Sequence, residues 1–350
     1  MDKSVRQKLT AVYGAAEEMI TFQAHRYEAL LREHGQRYPG SAVAAVVRAP
    51  GRVNLIGEHT DYNGYPVLPM AIDRDIVIAF SAVPSSRVCV ENMDTRFPRC
   101  EFETRVPIPQ GEQGDWGNYL KAAVQGIIEA GIVDPAGASG LNAVCSGSVP
   151  ESAGLSSSSA LVVAMGLAFL TANDVSVPPL ELAGILARAE RYAGLEGGGM
   201  DQTISLMGSF GHALKIDFSP VAVSPVHLPE GAVFVVCNSL VAAPKTASAR
   251  NAYNRRVVEC RLAMALLAAF LRERAGLRTV PELLADLSPE KTGLPEKTIA
   301  GAARDVLHQS PWQLDEIATV LGIPADKVRR TYCTTRTGSE VPEPEEGFLL

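Results

Sequence analysis

One stretch constrains the fold of this 350-residue chain more than any other: Pro150-Glu-Ser-Ala-Gly-Leu-Ser-Ser-Ser-Ser-Ala-Leu-Val162. An apolar, strand-like run, Leu141 to Cys145, precedes it, and an apolar run of helical character, Ser157 to Leu170, follows. A strand feeding a helix through a small-residue loop requires a mixed α and β architecture. It also presents free helix N–H groups and the positive end of a helix dipole to whatever lies at the loop, which suits an anion. The serine hydroxyls could add bonds to phosphate oxygens or to a magnesium ion. A plain Ser-rich helix cap would look similar. No Gly-Lys-Ser/Thr follows, so this is not a Walker A loop, and there is no Gly-x-Ser-x-Gly nucleophile elbow.

Two further stretches carry polar groups that the flanking apolar runs do not explain. Residues 48 to 69 crowd Arg52, Glu58, His59 and Asp61 around the turn signal Asp61-Tyr-Asn-Gly64. Carboxylates and an imidazole in fixed directions suit the hydroxyls of a sugar; a solvated hairpin with surface ion pairs is the simpler alternative. Residues 190 to 206 contain Gly197-Gly-Gly199, which permits close backbone approach, followed by Asp201 at the start of a helix. As a lone aspartate, Asp201 reads first as an N-cap.

Composition narrows the function classes. Lys plus Arg number 32 and Asp plus Glu 39, a net charge of −7, which argues against a general nucleic-acid binder. No apolar run reaches the roughly 18 residues of a membrane span, and residues 1 to 6 lack a secretory apolar core, so a cytoplasmic protein is expected. The six cysteines are scattered, with no Cys-x-x-Cys, and the six histidines form no His-x-x-x-His pair. The sequence therefore offers no transition-metal site and no disulfide framework. Cys145 and Cys237 lie in apolar runs and read as small core residues.

With roughly 150 residues per domain, the length gives about two domains, and a boundary is expected near residues 209 to 212. Helical spacing predicts one helix over residues 3 to 35, then helices at 116–130, 157–170, 179–192 and 248–274, and short helices over 280–330. Strands are expected at 42–47, 53–56, 76–83, 88–90, 141–145, 212–218 and 233–237. Ser310-Pro311 reads as a helix start and Gly322 as its stop. The last fifteen residues, rich in Pro and Glu, read as a disordered acidic tail.

Taken together the three polar stretches resemble the galactokinase branch of the GHMP kinases. The string GRVNLIGEHTDYNGY at Gly51 to Tyr65 is similar to the galactokinase signature, Gly154 to Ala160 to the phosphate-binding motif, and Gly197 to Gln202 to the segment that carries the catalytic aspartate. Gly64 to Ala71 and Arg256 to Ala263 resemble plant galactokinases and animal N-acetylgalactosamine kinases.

The resemblance implies an α+β, two-domain GHMP kinase fold. A helical extension at 1–40 precedes an N-terminal domain at 41–210, like domain 2 of ribosomal protein S5. A partial ferredoxin-like domain at 211–335 and the tail at 336–350 follow.

It further implies ATP-dependent phosphorylation of galactose at its C1 hydroxyl by a monomer, with N-acetylgalactosamine as the alternative sugar. Asp201 and Arg52 take the catalytic roles. Arg52, Glu58, His59, Asp61, Gly198, Asp201 and Tyr253 contact sugar. Trp116, Gly154, Leu155, Ser156, Ser157, Ser158, Ser159 and Ala160 hold ATP, and Ser158 and Glu190 associate with Mg2+. Non-catalytic relatives in yeasts lack a Ser-Ala pair in the phosphate motif, whereas Ser159-Ala160 is present here. The family's third Gly-rich motif has no counterpart, and the family pattern stops after about Arg330. On this basis the chain is expected to be C-terminally truncated, weakly active or inactive, and prone to aggregate through unpaired sheet edges.

Overall fold

The computed structural model describes residues 2–41, 45–237, 247–336 and 338–350. The chain opens with α1 (Lys3–Tyr13) and α2 (Glu17–Arg37). The single helix expected over 3–35 is broken because Gly14 takes a φ of 84° and its N–H caps Thr10 O at 3.0 Å. β1 (Ala45–Asn54) unites the strands expected at 42–47 and 53–56; residues 42–44 lie outside the described residues. Its ladder with β2 (Pro69–Val83) shifts between Pro50 and Arg52, where Pro50 has no N–H to donate.

There follow β3 (Arg87–Asn92), β4 (Cys100–Glu103), α3 (Gly117–Glu129), β5 (Gly140–Gly147), α4 (Ser157–Ala172), α5 (Pro179–Ala189) and α6 (Met200–Met207). The helix expected to reach Tyr192 passes into a 3-10 turn at Glu190–Ala193. β1 to β5 form one sheet in the order β1-β2-β5-β3-β4, antiparallel except for the β3–β5 pair. Its central strands are buried on both faces. Ile76, Ile78, Phe80, Leu141 and Ala143 pack with α3, α4 and α5, while the alternate residues Val77, Ala79 and Val144 pack with Leu30 of α2.

A second, two-stranded sheet pairs β6 (His212–Phe218) with β7 (Val221–His227), a strand the sequence did not signal. Val67 bridges to Ile216, and an apolar cluster of Val67, Met200, Ile204, Leu214 and Ile216 seats the hairpin on α6. No strand forms at 233–237. Val233 and Val235 are about four-fifths exposed, and Cys237 is exposed rather than in a core. Apolar character alone does not make a strand without a partner ladder.

The remainder is helical: α7 (Ala247–Ala275), a 3-10 turn at Leu284–Leu287, α8 (Pro289–Thr292), α9 (Glu296–Val306), α10 (Leu314–Leu321) and α11 (Ala325–Tyr332). Gly322 stops α10 as expected, with φ 66°. Ser310-Pro311 does not start it, because Trp312 exchanges backbone bonds with Phe348 (2.7 and 2.8 Å) and is held extended. The tail is not disordered where it does so. Val341 and Phe348 are buried in a core with Val258, Leu262, Trp312, Ile317 and Val328, and Glu343 accepts the Leu314 N–H at 2.8 Å. Among the described residues no helix is long and apolar enough to cross a membrane.

Candidate active site

β1 delivers Arg52 and α6 delivers Asp201 to the same point. Arg52 Nε donates to Asp201 Oδ1 at 2.7 Å and Nη2 to Oδ2 at 3.1 Å, a forked pair. The third arm of the guanidinium, Nη1, donates to Gly154 O at 2.7 Å, and the Arg52 backbone N–H donates to Leu155 O at 3.2 Å. Strand and phosphate-type loop are thereby locked together. Gly51 permits the approach, since a Cβ there would stand 2.7 Å from Leu155 O. Asp201 is not an N-cap. Gly199 holds that position, and the Asp201 carboxylate also accepts the Ser156 hydroxyl at 2.5 Å.

The four consecutive serines divide between two sides, with Ser156 the left-handed residue just before α4 and the other three in its first turn. Ser156 and Ser159, three apart, face the carboxylates: Ser159 Oγ lies 3.0 Å from both oxygens of Glu190 and 3.5 Å from Asp201 Oδ2. Ser157 and Ser158 instead line a cleft of about 610 Å³ with Asp94, Arg96, Phe97, Trp116 and Ser152. Trp116 is buried at its edge, its indole N–H held by Pro98 O at 2.8 Å. Ala160 is buried behind the loop, its N–H on Ser156 O at 3.0 Å.

Within the loop it is Ser159 that donates to Glu190, while Ser158 lines the neighbouring cleft. Gln202, which the sequence reading did not place in the site, donates to Glu190 Oε2 at 2.5 Å. It lies within the quoted Gly197 to Gln202 segment, one residue beyond Asp201.

A second cleft, of about 360 Å³, lies on the other side of the loop. Arg52, Glu58, His59, Asp61, Gly154, Leu155, Glu190, Gly198, Asp201 and Tyr253 all line it, so the structure brings together every sugar-type residue named from sequence. The polar residues at 48–69 do not form a solvated hairpin. A 3-10 turn at Asp61–Asn63, closed by Gly64 at φ 84°, folds them inward. Asp61 Oδ2 accepts the Gly198 N–H at 3.1 Å; a Cβ on Gly198 would collide with Tyr62 N and with Asp61. Burial, reinforced by the charge of Asp201, raises the pKa of Asp61 above the ordinary aspartate value. Burial, with the carboxylates of Asp61 and Asp201, holds the Tyr253 phenol well above its usual range, so it remains a donor. The His59 and Tyr253 rings lie 5.3 Å apart, and Tyr62, read from sequence only as part of the turn, bonds His59 Nδ1 at 2.8 Å. Glu58 is exposed at the rim.

Among the described residues there is no group of three or more His, Cys, Asp or Glu side chains that could hold a metal ion by itself. One carboxylate, Glu190, beside serine hydroxyls fits an ion such as Mg2+ that takes most of its ligands from phosphate oxygens and water.

The fold and this loop-bounded pair of clefts define the GHMP kinase class. The description "GHMP kinases N terminal domain" matches residues 118–209, and "Galactokinase galactose-binding signature" matches 32–82. The galactokinase of Roseiflexus is 34% identical over 327 residues, covering 91% of this chain and 80% of that protein. The galactokinase of Dictyostelium discoideum is 36% identical over 316 residues, covering 88% and 62%. The galactokinase of Candida parapsilosis is 39% identical over 252 residues, covering 69% and 49%. The chain thus spans about half to three-fifths of the length of the last two. The crystal structure of Lactococcus lactis galactokinase complexed with galactose shares the fold, with TM-score 0.60, 24% identity, and coverage of 80% of this chain and 71% of that one. The chain belongs to the galactokinase family.

Proposed function

We propose that this chain carries the catalytic apparatus for ATP-dependent phosphorylation of galactose at the C1 hydroxyl. The observation that carries the reading is the forked Arg52–Asp201 pair, set where the loop Gly154–Ser159 separates two clefts. In this reading the cleft of about 360 Å³ takes the sugar. Glu58 and Asp61 accept sugar hydroxyls, and the Gly198 backbone, His59 and Tyr253 fix its orientation. The larger cleft takes the nucleotide, with adenine near Trp116 and the phosphates on the loop and the first N–H groups of α4.

The C1 oxygen attacks the γ-phosphorus as the P–O bond to ADP breaks, and the hydroxyl proton passes to Asp201. Arg52 holds Asp201 in place and sets positive charge beside the transferring phosphoryl group. Mg2+ supplies further neutralisation of phosphate charge when bound, and Glu190 and Ser158 are the residues that would hold it. Residues 41–210 would form the first domain and 211–335 the second, in a cytoplasmic monomer.

The test is sugar-dependent ATP consumption by the purified chain, with galactose and N-acetylgalactosamine in competition. Galactose should win, and Asp201→Ala should abolish turnover while galactose binding by calorimetry partly survives. Normal turnover in Asp201→Ala would overturn the assignment.

A further inference from the structure

The hairpin β6–β7 opposes two histidines that lie 15 residues apart in sequence and carry no role in the proposed reaction. The antiparallel register sets His212 directly across from His227 at the open end of the ladder. Cross-strand partners have Cβ atoms about 4.5–5.5 Å apart, so two imidazoles there can meet. They do, with Nε2 to Nε2 3.4 Å and ring centroids 4.1 Å apart.

The tautomer of His212 follows from its other nitrogen. His212 Nδ1 lies 2.9 Å from Phe210 O, and a carbonyl can only accept. Nδ1 therefore carries the proton, and neutral His212 presents a lone pair at Nε2. An imidazole fixed by a backbone carbonyl in this way is how metal-binding histidines are usually oriented. The nitrogen separation fits as well, and the two rings need only swing apart from their 4.1 Å centroid spacing for both lone pairs to converge on one ion. Two nitrogens bound tetrahedrally at 2.0–2.1 Å stand roughly 3.3–3.4 Å apart. For a direct N–H···N bond, by contrast, 3.4 Å is long.

The surrounding backbone is braced. The His212 N–H donates to Ser209 O at 3.3 Å, and Leu228 N–H donates to Gly211 O at 3.0 Å just beyond the pair. Both rings are solvent-accessible.

We propose that His212 and His227 form a surface binding site for a borderline divalent transition ion such as Zn2+, Ni2+ or Cu2+, ligated through both Nε2 atoms. The site is separate from the magnesium-type position at Glu190, because imidazole pairs select these ions over Mg2+. The bound ion would staple β6 to β7, and through the cluster of Leu214, Ile216, Met200 and Ile204 it would brace α6, which carries Asp201.

The experiment is calorimetric titration of the purified full chain, free of any affinity tag, with Ni2+ alone and with Zn2+ alone. Thermal melting and Cu2+ EPR accompany it. The expected result is one ion per chain, a melting temperature that rises with ion concentration, and an EPR spectrum showing two equivalent-type nitrogens. His212→Gln and His227→Gln should each weaken binding by about tenfold or more, while His308→Gln, at a partly exposed imidazole elsewhere in the chain, leaves it intact. Mg2+ should not compete. Undiminished binding in the double variant H212Q/H227Q, loss of binding in His308→Gln instead, or no saturable binding of Ni2+ or Zn2+ at neutral pH would each overturn the proposal. Circular dichroism of the variants, at a half-buried and an exposed position, confirms that a loss reflects ligation rather than unfolding.

Discussion

Asp61 meets two opposing demands: it accepts a backbone bond from Gly198 and lines the sugar-type cleft, yet burial and the nearby charge of Asp201 disfavour its ionised form. A raised pKa means that Asp61 takes up a proton at a higher pH than an ordinary aspartate near 3.9. As pH falls, the acceptor needed for a sugar hydroxyl is lost early. The KM for galactose should therefore rise on the acid side before an unperturbed carboxylate would titrate, and Asp61→Asn should flatten that limb. An acid limb unchanged in Asp61→Asn would remove Asp61 from the sugar contact.

At this scale the sequence disclosed which residue types assemble, but not which serine faces which group. Successive helical residues turn by about 100°. The choice of Ser159 over Ser158 as partner of Glu190 thus depends on the phase in which α4 docks, and that is set by its packing on β1 and β2.

Elements are held in register by Asp75, which is fully buried on β2. It accepts from Tyr13 of α1 at 2.6 Å, from Arg26 of α2 at 2.5 Å and from Arg48 of β1. One carboxylate therefore ties both N-terminal helices to the strand that carries Arg52. Asp75→Ala leaves two guanidiniums without their partner and should cost about 3–5 kcal/mol, the usual penalty for breaking a buried ion pair. Chemical denaturation would measure it. A change under about 1 kcal/mol, the scale of an exposed pair, would show that Asp75 does not hold the elements together.

The helices α3 and α5 were legible from apolar periodicity, and α4 and the central strands from continuous apolar runs. β4 is only four residues long, and β7 is an edge strand with Pro225 and mostly exposed side chains, so neither carries a periodic signal.

Across the whole molecule, the C-terminal segment is a packed part of the fold. Phe348 is fully buried against the α7–α10–α11 cluster, and its backbone pairs with Trp312. Phe348→Ala should destabilise the chain by about 3–5 kcal/mol, as large-to-small core substitutions do. Hydrogen exchange should show the loss first in α10 and α11. Unaltered protection there would mean that the tail does not support this cluster. Its Pro- and Glu-rich composition concealed the packing, because two buried side chains, Val341 and Phe348, suffice to seat the segment on the helical cluster.

The sequence by itself determined the family, the mixed α and β character and the inventory of chemical groups, since those rest on local spacing: the string at Gly51–Tyr65, the loop at Gly154–Ala160 and the glycines before Asp201. Tertiary structure alone decided what meets across long separations. It joined Arg52 to Asp201, divided the serines between two clefts, seated Phe348 beside Trp312 and set His212 against His227. The physical reason is that contacts far apart along the chain are fixed by sheet register and helix phase, which are collective properties of packing and leave no mark in any one segment.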